Sequence, residues 1–148
     1  MEIKSLAIGS DHAGYDLKEY LKKYLEMWGY VVEDYGTYSS ESVDYPDFAH
    51  PVAKSVNSGM HTTAILICGS GQGVCITANK YEKVRAALCW TEELAELTRQ
   101  HNNSNILCLP SRFIDEKTAL KITEKFLKTD FEGGRHDRRV RKIASLNS

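Results

Sequence analysis

No apolar run in these 148 residues is long enough to cross a bilayer, and the opening Met1-Glu2-Ile3-Lys4 lacks the charged-then-apolar pattern of a secretory leader. That opening reads as the start of a strand, and a cytoplasmic protein is expected. The four cysteines, 68, 75, 89 and 108, include no Cys-x-x-Cys pair. Neither a zinc knuckle nor a disulfide framework is indicated, and reduced thiols are expected. Formal charge is nearly balanced at -1, which removes the basic excess that nucleic-acid binding needs. No internal repeat or low-complexity segment is visible. The length suits one compact domain, 1–148, with room for a real core.

What the chain does have is the run Ile65-Leu66-Ile67-Cys68-Gly69-Ser70-Gly71-Gln72-Gly73, where an apolar strand ends in a thiol followed by three alternate glycines. Glycine at 69, 71 and 73 lets a ligand approach the backbone N–H groups, and the helix that follows adds its positive end. Phosphates and oxyanions suit such a loop. The same field would draw the Cys68 thiol below its free value of about 8.5. Three familiar phosphate loops are nonetheless absent. Val74-Cys75 replaces the Lys-Ser/Thr of a P-loop. Val74 also stands where a dinucleotide fingerprint needs its third glycine and where a thiol phosphatase needs its arginine. Spacing alone leaves Cys68 open between a reactive thiol and a small core residue.

Apolar runs at 6–8, 30–32, 64–68, 86–89 and 106–109 predict five strands. Helical spacing recurs between them in Leu17, Tyr20, Leu21, Tyr24 and Leu25, in Leu94 and Leu97, and in Leu120, Ile122, Phe126 and Leu127. Alternating strands and helices predict right-handed βαβ units around a parallel sheet, with functional residues just beyond the carboxyl ends of the strands. Those positions hold Gly9-Ser10-Asp11-His12, Cys68 to Gly73, and Pro110-Ser111-Arg112. Asp44-Tyr45-Pro46 opens another helix, leaving Tyr45 between substrate contact and packing. Glu132-Gly133-Gly134 is a hinge into a short basic helix, about 134–147, on which Arg135 and Arg139 share a face. Arg138, Arg141 and Lys142 read as a solvated face. His50 and His61 are assigned to the surface, and Cys75, Cys89 and Cys108 to packing.

Taken together, Gly9-Ser10-Asp11-His12-Ala13-Gly14, Asp44-Tyr45-Pro46, Cys68 to Gly73 with Ala78-Asn79-Lys80, Arg99-Gln100-His101-Asn102 and Glu132-Gly133-Gly134-Arg135-His136 resemble type B ribose-5-phosphate isomerase. The resemblance runs in order along nearly the whole chain. The wider family also holds allose-6-phosphate and galactose-6-phosphate isomerases. It implies a Rossmann-like three-layer α/β/α fold with a five-stranded parallel sheet. It also implies a homodimer that shares its active sites and packs the C-terminal helix at the interface, with higher oligomers an open question, and no metal or organic cofactor. The partner it implies is a small sugar phosphate, not a nucleic acid or a membrane. Carried onto this sequence, the carbon base falls on Cys68 and the ring-opening acid/base on His101, with the Ser70 hydroxyl assisting. Val74 stands where some relatives carry a glutamate base, so the chain is of the cysteine type. Ligand positions fall on Asp11, His12, Gly69, Ser70, Gly71, Gln72, Gly73, Asn102, Arg135 and Arg139, to which the strand-end Arg112 and Tyr45 are added. The retained His101 points away from the galactose-6-phosphate branch. The rivals are an isomerase of a six-carbon sugar phosphate and a non-catalytic sugar-phosphate binder, and a binder would need neither Cys68 nor His101.

Overall fold

The computed structural model describes residues 4–144. Its strands are β1 Ser5–Ser10, β2 Val31–Asp34, β3 Ala64–Cys68, β4 Ala86–Leu88 and β5 Ile106–Pro110. Its helices are α1 Tyr15–Met27, α2 Tyr45–Asn57, α3 Gln72–Ala78, α4 Glu92–Asn102, α5 Glu116–Lys128 and α6 Arg135–Ile143, with a single 3-10 turn at His12–Gly14. The expected strand start at 1–3 and the last turn of the C-terminal helix at 145–147 lie outside the described residues, and β1 begins one residue after Lys4.

All strand pairings are parallel, in the order β2-β1-β3-β5-β4. The two central apolar strands, β3 and β5, are buried along their whole length, as expected where helices cover both faces of a sheet. Alternation along β1 splits the core. Leu6 and Ile8 face α1, α4 and α5 through Leu21, Leu25, Ala95, Ile122 and Phe126. Ala7, Leu66 and Cys68 face α2 and α3 through Ala49, Val52, Ala53, Val74 and Ala78. Helices on both sides of the sheet give the three-layer α/β/α architecture the sequence predicts. The chain passes from β1 to β2 on one side and enters β3 on the other, so the crevice between the carboxyl ends of β1 and β3 is the switch point where ligands bind in such folds.

One buried charge stiffens that end of the sheet. Lys18 on α1 is fully buried, with Nζ 2.6 Å from Asp34 Oδ2 and flanked by the rings of Tyr15 and Tyr38. Burial alone would push the Asp34 carboxyl up, but Lys18, Lys22 and the Gly36 N–H together hold it below its ordinary value. A carboxyl depressed in the folded state adds stability above the unfolded pKa of about 3.9 and loses it as pH falls through the folded value. Asp34→Ala is expected to cost about 3 kcal/mol, read as a lower urea midpoint at neutral pH. That is the low end for breaking a buried pair, because Asp34 keeps partial solvent access. An unchanged midpoint would show that Glu19, 3.4 Å from Lys18, suffices as its partner.

Candidate active site

Three strand ends are stitched into one platform. The Asp11 N–H donates to the Ile67 carbonyl at 3.2 Å, and the Ser111 N–H to the Cys68 carbonyl at 2.9 Å. The Ser111 hydroxyl donates to the Ala13 carbonyl at 2.8 Å, and the Arg112 N–H to the Gly69 carbonyl at 3.0 Å. Gly14 lies so close to Ile67 that a Cβ would meet its main chain at 2.8 Å. The loops after β1, β3 and β5 thus hold one another in place around Cys68, whose thiol is buried on the α2–α3 side of the sheet.

The glycines of the loop are there for distinct reasons. Gly71 has φ +72°, and a Cβ on it would strike Leu88 at 2.5 Å. A Cβ on Gly73 would strike the Tyr45 ring at 2.6 Å, so Tyr45 at the start of α2 lies across the end of the loop. This packs Tyr45 while leaving it 40% exposed. A Cβ on Gly69 would come within 3.0 Å of Arg112 Nη1. The guanidinium of Arg112 therefore lies directly over the loop, in this same chain. Ser70 Oγ accepts from the Gln72 N–H at 3.3 Å, which turns the chain into α3, and Gln72 is exposed at its first residue.

Asp11 and His12 carry structural bonds as well. Asp11 Oδ1 accepts from the Gly14 N–H at 3.1 Å, capping the 3-10 turn. His12 Nδ1 accepts from the Val43 N–H at 3.1 Å, which assigns the neutral ring's proton to Nε2 and leaves that nitrogen to donate. Asp11, His12, Tyr45, Cys68 to Gly73 and Arg112 thus belong to the carboxyl end of the sheet.

His101, Asn102, Arg135 and Arg139 do not. Helix α4 starts from the N-cap Thr91, whose Oγ1 accepts from Leu94 N–H at 3.2 Å, and ends at Asn103 with φ 48°. Joining parallel β4 to β5, it must return to the amino end of the sheet, so its last turn carries His101 and Asn102 there. Register pairs Ala64 with Ile106 and Cys68 with Pro110, and those four steps alone span about 13 Å. Arg99 seals this end: Nη1 donates to the Asn103 side chain at 2.9 Å and to the Ser104 carbonyl at 2.6 Å. Helix α6 packs on α4, stacking the His136 ring on that of His101 with centroids 4.4 Å apart. Glu132 Oε1 lies 4.0 Å from His101 Nε2 and 3.5 Å from His136 Nε2. Arg135 and Arg139 project from this helix, both exposed. The residues named from the sequence therefore form two groups at opposite ends of the sheet.

Glu132 and His136 escape the sequence reading as partners of His101. Only their own i,i+4 spacing is visible there, and nothing in the pattern links them to a residue 31 and 35 positions earlier. Asn79 proves structural, its amide pairing with both main-chain groups of Ala86 at 2.8 and 3.0 Å. His61 corrects its surface assignment: it is buried, 2.6 Å from Glu33 Oε2, because Glu33 on the edge strand can reach it. His50 is half-buried, 2.7 Å from the Tyr81 hydroxyl. Burial pushes the Cys89 thiol up to about 12 and the Cys108 thiol well up, consistent with packing roles. Cys75 is only partly buried, and the neighbouring Cys108 thiol holds it below the ordinary range. A cavity of about 830 Å³ lies at the amino end of edge strand β4, between Tyr81, Arg85, Thr98, Asn102 and Ile143.

The sequence profile described as Ribose/Galactose Isomerase matches residues 6–143. The chain is 42% identical to "Ribose-5-phosphate isomerase B" of Escherichia coli over 144 residues, 97% of each chain. A crystal structure of a ribose 5-phosphate isomerase from Thermotoga maritima superposes with TM-score 0.95 at 51% identity, over 98% of this chain and 100% of that one. Ribose-5-phosphate isomerase B from Mycoplasma genitalium, crystallised with bound ribulose-5-phosphate, superposes at 0.93 and 45% identity, over 97% of both chains. With the profile spanning nearly every described residue, the chain belongs to the ribose/galactose isomerase family.

Proposed function

We propose that this protein interconverts ribose 5-phosphate and ribulose 5-phosphate as an aldose–ketose isomerase. The observation that carries the reading is the Cys68 thiol set beside a glycine loop under the Arg112 guanidinium, at the switch point of a fold shared with ribose-5-phosphate isomerases. Cys68 as thiolate takes the proton from C2 of the aldose and returns it to C1. The intervening enediolate carries negative charge at its oxygens, where the N–H groups of Gly69 to Gly73 and the Ser70 hydroxyl donate. Asp11 orients a sugar hydroxyl with the carboxylate capacity its cap leaves spare. His101 moves the proton that opens the furanose ring, a task suited to imidazole near neutral pH.

Cys68 and His101 stand at opposite ends of one sheet, so one chain cannot bring both to one sugar. The reading therefore requires two subunits, each lending His101, Asn102, Arg135 and Arg139 to its partner's Cys68 loop. The opening at the amino end of β4, with Asn102 on its wall, supports a second subunit's approach there. A sugar phosphate held between the ends has a guanidinium on each side, Arg112 from one chain and Arg135 and Arg139 from the other, and planar guanidinium groups suit phosphate.

The deciding assay couples ribose 5-phosphate consumption to ribulose 5-phosphate formation, with allose and galactose 6-phosphates run beside it. Faster turnover of either hexose phosphate would move the assignment to a six-carbon sugar, and no turnover of any would leave a binding module. Because the steps need only protons carried by Cys68 and His101, prolonged chelation is expected to leave activity intact. Loss on chelation with rescue by a divalent ion would overturn that. Arg112→Ala is expected to raise KM for ribose 5-phosphate roughly ten- to a hundredfold, the value of about 1.5–3 kcal/mol for a charge-assisted contact. An equal loss on unphosphorylated ribose would mean that Arg112 braces the loop instead of holding phosphate.

A further inference from the structure

We propose that His101, Glu132 and His136 form a binding site for a divalent cation of the zinc class. The three ligands come from three elements: the last turn of α4, the connector after α5, and the first turn of α6. The main chain builds the cluster independently of its side chains. The Glu132 N–H donates to the Gln100 carbonyl at 3.1 Å and the His136 N–H to the Gly133 carbonyl at 3.1 Å. Gly133 and Gly134 take φ values of +69° and +57°, which folds the connector back so that Glu132 and His136, four residues apart, both face His101.

One ligand atom from each residue lies within 4.8 Å of the others, so an ion placed among them sits within about 2.8 Å of all three, and bonds of about 2.0–2.2 Å need each group to move by less than about 1 Å. The histidine rings, now 15° from parallel, must tilt so that their Nε2 lone pairs converge. The half-exposed side chains of His101 and Glu132 leave room for that. Two imidazoles and one carboxylate suit zinc, with a fourth position open to water, whereas calcium and magnesium require more oxygen ligands than this cluster offers. The four cysteines take no part, because Cys68 and its neighbours lie on or beside β3, β4, β5 and α3, away from the α4–α6 junction. Coordination would occupy Nε2 of His101. On the proposed isomerase reading, which this consequence rests on, the ion is therefore an inhibitor and not a cofactor.

The test uses the whole purified protein, with zinc ions titrated by calorimetry and cobalt(II) read by visible absorption. About one ion per chain is expected, with His136→Ala and Glu132→Gln each weakening binding by more than the roughly tenfold that losing even an outer partner costs. Circular dichroism checks that both variants fold, and Cys68→Ala is expected to bind as the wild type does. No binding, binding unaffected by both cluster substitutions, or binding abolished by Cys68→Ala would overturn the site. Turnover of ribose 5-phosphate is expected to fall at least about tenfold when zinc saturates the wild type and to return on adding chelator. A protein that binds zinc at this cluster yet turns over undiminished would keep the site and count against His101 in the reaction.

Discussion

Cys68→Ala protein is expected to fold, to bind ribose 5-phosphate, and to lose isomerisation by about 10⁴-fold, the upper end of what general acid–base catalysis supplies. The substitution deletes one sulfur from a buried site. The small void costs about 1 kcal/mol, little beside a typical folding stability. The loop amides, Arg112 and Tyr45 remain where they were, so affinity should survive while turnover does not. Measuring binding by calorimetry beside turnover separates the two, and near-normal turnover by the folded variant would remove the thiol from the mechanism. The same variant tests the division between subunits. Mixed with inactive Arg139→Ala protein, it should regain activity, because a mixed dimer contains one site with an intact loop and an intact α6. No recovery despite demonstrated subunit exchange would overturn the division of the site between two subunits.

His101→Ala is expected to depress kcat/KM on ribose 5-phosphate far more than on erythrose 4-phosphate, provided the wild type turns over the shorter sugar measurably. The four-carbon aldose carries phosphate on the oxygen that would close its ring, so it is always open and needs no ring-opening group. General acid–base assistance is worth about 10²–10⁴-fold, and a gap of that size should separate the two losses. Forward and reverse rates on the five-carbon pair cannot make this distinction, since the equilibrium constant forces both to change by one factor. Equal losses on both sugars would mean that His101 serves the carbon proton transfer or holds the site together. Its stacking on His136 beside Glu132 makes the second outcome a real alternative, and circular dichroism with a phosphate-binding measurement on the variant would expose it.

Much of this architecture was legible in the residues themselves. The apolar runs place all five strands because central parallel strands are covered on both faces and need no polar alternation, as β3 and β5 show. The rule that ligands bind beyond the carboxyl ends of the strands located Asp11, Cys68 and Arg112 together, whereas the glycines expected to admit a ligand instead let Arg112, Leu88 and Tyr45 close against the loop at 69, 71 and 73. Boundaries were less sharp. Residues Tyr30 to Val32 became Val31–Asp34, since the edge strand β2 is half exposed and its polar Glu33 and Asp34 carry no hydrophobic signal.

What the tertiary structure alone decided is where these residues meet. The buried Lys18 was invisible on α1 because its partner Asp34 lies 16 residues away on β2, and a charge's burial depends on what faces it. His61 looked like a surface residue for the same reason until Glu33 supplied its partner. The sequence places Cys68 and His101 in one family pattern, yet a helix joining parallel strands must cross the sheet from its carboxyl to its amino end. The chain's own topology thus drives the two residues apart, and it also brings His101, Glu132 and His136 together across a hinge. Local patterning determined the strands, the helices and the chemistry of each loop. The distances between those loops follow from strand order and helix direction, which no local residue pattern contains.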